Sequence, residues 1–118
     1  MIADTLETDI EFAESTKWSL EDGIAMSRRI EALLTPAGFH CALGGSVLHS
    51  GVSLKDLDIF VYPHKSTGEP ISDVEVLTAL FPLLPNGWKQ CNHSQYGDEK
   101  RVFYCYTEGK RIDFFLLP

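Results

Sequence analysis

Apolar residues recur along this chain in two rhythms, one helical and one extended. From Leu20 to Leu34 the spacing is helical, with Leu20, Ile24, Ile30, Leu33 and Leu34 on one side. Ser19 is placed to cap the start, and Pro36 with Gly38 to close the end. Short apolar runs come next at Phe39–Leu43 and Leu57–Tyr62, each of strand length. In Ile71-Ser72-Asp73-Val74-Glu75-Val76, Ser72 and Glu75 have capping-box spacing, and Ile71 can staple to Val76 across the first turn. This second helix is expected to reach about Leu80, because Pro82 and Pro85 prevent its continuation. Further strands are predicted over Trp88–Cys91, Arg101–Tyr106 and Arg111–Leu117, with a polar loop over 92–100 and a tight turn at Glu108-Gly109. This order predicts an α+β domain: a mixed β-sheet of about five strands with helices on one face.

Composition narrows the prediction to one folded unit. A chain of 118 residues with 44% hydrophobic content can bury a single core, and no repeat or low-complexity stretch divides it. The domain is expected over residues 19–118. Residues 1–18 read as an acidic arm, partly disordered or forming a first helical turn, in which Asp4, Glu7, Asp9, Glu11 and Glu14 outweigh Lys17. Contact with a basic partner is the alternative role for that arm. The N-terminus has no basic region ahead of an apolar core, so no secretory signal is expected, and no run approaches the roughly 18 apolar residues of a membrane span. Cys41 and Cys105 fall in predicted strands and read as buried free thiols of a cytoplasmic protein. Zinc at Cys91 and His93 is disfavoured, since no second pair has ligand spacing.

The chemistry concentrates between Leu43 and Phe60. In Lys55-Asp56-Leu57-Asp58-Ile59-Phe60-Val61, Asp56 and Asp58 share one face of a strand whose other face, Leu57, Ile59 and Val61, is apolar. Two carboxylates side by side at a buried strand repel one another and resist desolvation unless a cation lies between them. Carboxylate oxygens suit Mg2+ or Mn2+, and magnesium commonly completes its shell with water and substrate phosphate. Upstream, Gly44 and Gly45 permit close backbone approach to a ligand. Ser46 offers a hydroxyl and an amide at the start of a short helix, a place that holds phosphate oxygens. A plain turn and a solvated strand end are the simpler readings of the two halves taken separately.

Together, Leu43-Gly44-Gly45-Ser46, the intervening Gly51 and Ser53, and Lys55 to Phe60 resemble the signature of the nucleotidyltransferase superfamily with the DNA polymerase beta fold, and most closely its small single-domain members in bacteria and phages. The resemblance implies a third carboxylate on a later strand, for which Asp113 in Arg111-Ile112-Asp113-Phe114-Phe115 is the candidate; a solvated strand residue is the alternative. It implies that Asp56 and Asp58 hold two metal ions, and that Asp113 binds one of them and helps deprotonate an attacking hydroxyl. Gly44, Gly45, Ser46 and Lys55 would then meet the phosphates of a nucleoside triphosphate.

The implied activity is transfer of a nucleoside monophosphate from an NTP to a hydroxyl on a protein, a small molecule or an RNA end. Many family members continue past the third carboxylate into helices that hold the base or acceptor, whereas this sequence ends at Pro118. An oligomer, a partner protein, or loss of catalysis each accounts for that difference. The competing reading is a catalytically silent binding module, antitoxin-like or inhibitory, acting through a protein partner. A net charge of −7 leaves no broad basic face, so a nucleic-acid partner is disfavoured, although bound cations would reverse the sign locally. Lys110 and Arg111 are read equally as phosphate ligands or as hairpin charge. His49 is left outside the site. Trp88, Phe103, Tyr104, Phe114 and Phe115 are assigned to the core and the sheet faces.

Overall fold

Alternation of Leu57, Ile59 and Val61 with Asp56, Asp58 and Phe60 creates a strand with one apolar and one mixed face, and this strand organises the molecule. The computed structural model describes residues 17–45, 52–53, 56–90 and 101–117. In chain order the elements are β1 (Trp18–Ser19), α1 (Leu20–Leu34), β2 (Phe39–Gly44), β3 (Val52–Ser53), β4 (Asp56–Pro63), α2 (Asp73–Ala79), β5 (Lys89–Gln90), β6 (Arg101–Thr107) and β7 (Lys110–Leu116). Single 3-10 turns, Thr35–Ala37 and Phe81–Leu83, follow the two helices.

The main sheet has the order β2-β4-β7-β6-β5, and a separate two-stranded ribbon joins β1 to β3. All pairs in the main sheet are antiparallel except β4 with β7. The sheet is therefore mixed, and the parallel pair lies inside it. The protein is an α+β fold, as the hydrophobic pattern predicts.

One face of the sheet carries the core. Leu57, Ile59 and Val61 of β4, Ile112, Phe114 and Leu116 of β7, and Phe103 and Cys105 of β6 pack against Met26, Ile30 and Leu34 of α1 and Val76 of α2. Ser19 caps α1 by accepting from the Asp22 amide at 3.0 Å, and Ser72 caps α2 by accepting from the Glu75 amide at 3.3 Å. Ile71 and Val76, the expected staple, both enter the core.

Several features differ from the expectations above. Trp18, assigned to the acidic arm, is buried, and its indole N–H donates to the Arg111 carbonyl at 2.9 Å, so it fastens the start of α1 to β7. Leu20 and Ile24 are exposed, because the buried stripe of α1 runs through Gly23, Met26, Ile30 and Leu34 instead. Trp88 is also largely exposed, meeting Phe103 edge-on at 5.0 Å between ring centroids. Of the third predicted strand, only Lys89–Gln90 is a strand among the described residues; Cys91 and the loop over 92–100 lie outside them. Cys105 is buried, whereas Cys41 is only partly so, and both thiols are free. Among the described residues no helix is long and apolar enough to cross a membrane.

Candidate metal centre

Period-two geometry sends the side chains opposite to the core onto the second sheet face. Asp56 and Asp58 project there from β4. The parallel register pairs Asp58 with Asp113 and Asp56 with Arg111 on β7, so the third carboxylate arrives on the same face beside the first two. Carboxylate oxygens of Asp56, Asp58 and Asp113 all lie within 4.8 Å of one another. Three acids at this separation share a cation or retain protons. The group could hold a metal ion.

Glycine makes the close packing feasible. Gly44 pairs with Asp58 across β2 and β4, and a Cβ at Gly44 would come within 2.5 Å of the Phe60 ring. Gly45 is next, with φ of +71°, and a Cβ there would collide with the Asp58 carboxylate. The backbone at Gly45 thus lies directly against one carboxylate of the triad, as only glycine allows.

Asp113 is fully buried and accepts from the Arg111 guanidinium, Nε to Oδ1 at 2.7 Å and Nη2 to Oδ2 at 3.5 Å. Arg111 in turn lies over the Tyr104 ring, 4.0 Å from its centroid. Burial pushes the Asp58 carboxyl up to about 6, reinforced by the charge of Asp56 and opposed by Arg111. Burial likewise pushes Asp113 up to about 6; the Arg111 hydrogen bond opposes the rise, and hydrogen bonding and charge from Asp56 add to it. When all three acids ionise, Arg111 cancels one charge and leaves two negative charges unbalanced. A divalent cation would match that remainder.

Of the residues expected at the site, the structure brings together Asp56, Asp58 and Asp113 and sets Gly44 and Gly45 against them. Ser46, Lys55 and His49 lie outside the described residues, as do Cys91 and His93. Lys110 points elsewhere: its Nζ lies 5.0 Å from the Trp18 ring centroid and 3.4 Å from Asp22 Oδ2, which favours the structural reading of that charge. Arg111 belongs to the site, whereas its sequence context leaves the two roles balanced. Its place two residues before Asp113 on one strand puts both on one face and was the available signal. Tyr104 also joins the site face, paired across β6 and β7 with Asp113; only knowledge of that register would have separated it from Phe103. Phe60 and Phe115 stack beside the acids with centroids 5.0 Å apart, so this face of the sheet is partly aromatic.

No protein-family model matches this chain, and a search of curated proteins finds no match.

Proposed function

We propose that the protein is a metal-dependent nucleotidyltransferase, a small single-domain member of the superfamily its Gly-Gly-Ser and Asp-x-Asp motifs resemble. The observation that carries the reading is the parallel pairing of β4 with β7, which brings Asp113 to Asp56 and Asp58 within 4.8 Å although the sequence separates them widely. The donor set is all carboxylate oxygen, which suits Mg2+ or Mn2+. In this account Asp56, Asp58 and Asp113 hold the metal, which supplies charge stabilisation for phosphoryl transfer and lowers the pKa of an attacking hydroxyl.

The chain's own groups do the rest. Gly44 and Gly45 let the backbone close against Phe60 and the Asp58 carboxylate and so fix the position of that ligand, and Ser46 and Lys55 are the proposed phosphate contacts. Asp113, placed by the β4–β7 register beside Asp56 and Asp58, is the proposed base for the acceptor hydroxyl. The NTP is the proposed donor, and a protein side chain, small molecule or RNA end the acceptor, in a cytoplasmic setting, with a second copy or a protein partner completing the substrate wall.

One observation favours the silent binding module. Arg111 already grips the Asp113 carboxylate with two nitrogens, which can serve in place of a metal. Incubation with labelled NTP and Mg2+ or Mn2+ separates the two. Nucleotide transfer to an acceptor or to the protein itself, reduced to background in Asp58→Ala with the fold intact, is expected of the enzyme. Transfer undiminished in Asp58→Ala contradicts the assignment.

A further inference from the structure

At the far end of β2 from the acids, a second polar cluster is built around Glu31. Its Oε2 accepts from the Thr35 hydroxyl at 2.6 Å and from His40 Nδ1 at 2.7 Å, and its Oε1 accepts from the Cys41 amide at 2.9 Å. His40 Nε2 in turn lies 2.9 Å from His64 Nδ1. We propose that His40 and His64 form a surface binding site for a late first-row divalent metal ion such as Cu2+, with Glu31 as the residue that orients His40.

The hydrogen bonds dictate the ligand atoms. A carboxylate only accepts, so His40 Nδ1 carries the hydrogen and its Nε2 accepts from the Nδ1–H of His64; on metal binding that hydrogen passes, by tautomer exchange through water, to His64 Nε2 and leaves Nδ1 free to ligate. Although burial opposes it, hydrogen bonds from Thr35, the Cys41 amide and His40 hold Glu31 below the usual carboxylate range, which keeps it an acceptor. A carboxylate behind a ligating histidine is the common way in which proteins fix the tautomer and ring plane of a metal ligand. Here the carboxylate is itself fixed by two further donors.

Imidazole pairs favour copper, nickel and zinc over magnesium or calcium, so this site differs in chemistry from the carboxylate triad. With metal–nitrogen distances of roughly 2.0–2.1 Å, two cis ligands of a tetragonal shell stand about 2.9 Å apart, close to the present 2.9 Å contact, so the His64 ring has to turn its lone pair toward the ion and not to move away. His64 is exposed and lies just beyond the end of β4, where its amide donates to the Gly38 carbonyl at 2.8 Å, so the ring can move without disturbing the core. Water would complete the coordination shell on the open side.

The test is electron paramagnetic resonance of the tag-free full chain with one equivalent of Cu2+, together with titration of Cu2+ affinity. The wild type is expected to show hyperfine coupling to two imidazole nitrogens. His40→Ala and His64→Ala are each expected to lose that two-nitrogen pattern, and Glu31→Gln to weaken binding by about tenfold or more. The Asp56→Ala/Asp58→Ala variant is expected to keep the pattern, because its lost ligands carry no nitrogen. A wild-type spectrum without nitrogen coupling, a His64→Ala spectrum identical to wild type, or loss of the pattern in the aspartate variant overturns the site. Unchanged affinity in Glu31→Gln overturns the orienting role.

Discussion

Gly45 is the most constrained position at the acidic site. Its positive φ and its contact with the Asp58 carboxylate both forbid a side chain. Gly45→Ala is expected to destabilise the protein by about 1–3 kcal/mol, read by denaturant unfolding, and to weaken metal binding because Asp58 must move to admit the methyl group. The acids themselves make stability depend on pH. Asp58 and Asp113 both hold protons more tightly in the folded protein than in the unfolded chain, each pushed up to about 6. Without metal, their contribution to stability should therefore be fully present below the unfolded carboxyl pKa of about 4 and be lost as pH rises through 6. Asp58→Asn removes one of the ionisations responsible. At about pH 8, thermal melts should show the metal-free variant more stable than wild type by about 1 kcal/mol, after allowance for solvent screening at this partly exposed group. At about pH 4 the gain should vanish.

Local signals were legible where one residue's chemistry fixes one backbone event. Ser19 and Ser72 mark both helix starts, and α1 spans Leu20–Leu34 as its apolar spacing and the nearby Pro36 predict. Which face of α1 turns inward was less legible, since Leu20 and Ile24 are apolar yet stay exposed. The fold buries Gly23 and Met26 in their place. The ribbon of β1 with β3 was not legible at all, because two-residue strands carry no periodicity, and Trp18 looked like the tail of a charged arm. Its burial and its hydrogen bond to β7 give a further test: Trp18→Ala should cost about 3–5 kcal/mol in denaturant unfolding. A cost near zero would mean that the start of α1 does not depend on this anchor.

Across the whole molecule, what the sequence could not supply was register. Alternation in β4 and β7 says which side chains share a face, but pairing Asp58 with Asp113 rather than with a neighbour depends on two strands distant in sequence meeting in parallel. That pairing makes three scattered aspartates one cluster, brings in Arg111, and carries Tyr104 to its edge from β6. The charge of the chain looks different once folded. Its value of −7 is a poor guide to partners, because three of the acids converge on a point where Arg111 and a divalent cation would cancel their charge. The most direct test is calorimetric titration of each nucleoside triphosphate into the protein with Mg2+, with Mn2+ and with chelator, alongside a folded Asp56→Ala/Asp58→Ala variant. Metal-dependent binding of at least one triphosphate is expected, lost with chelator and in the variant; nucleotide binding that persists in the variant, or a well-folded wild type that binds neither metal nor nucleotide, would overturn the metal-dependent nucleotide site.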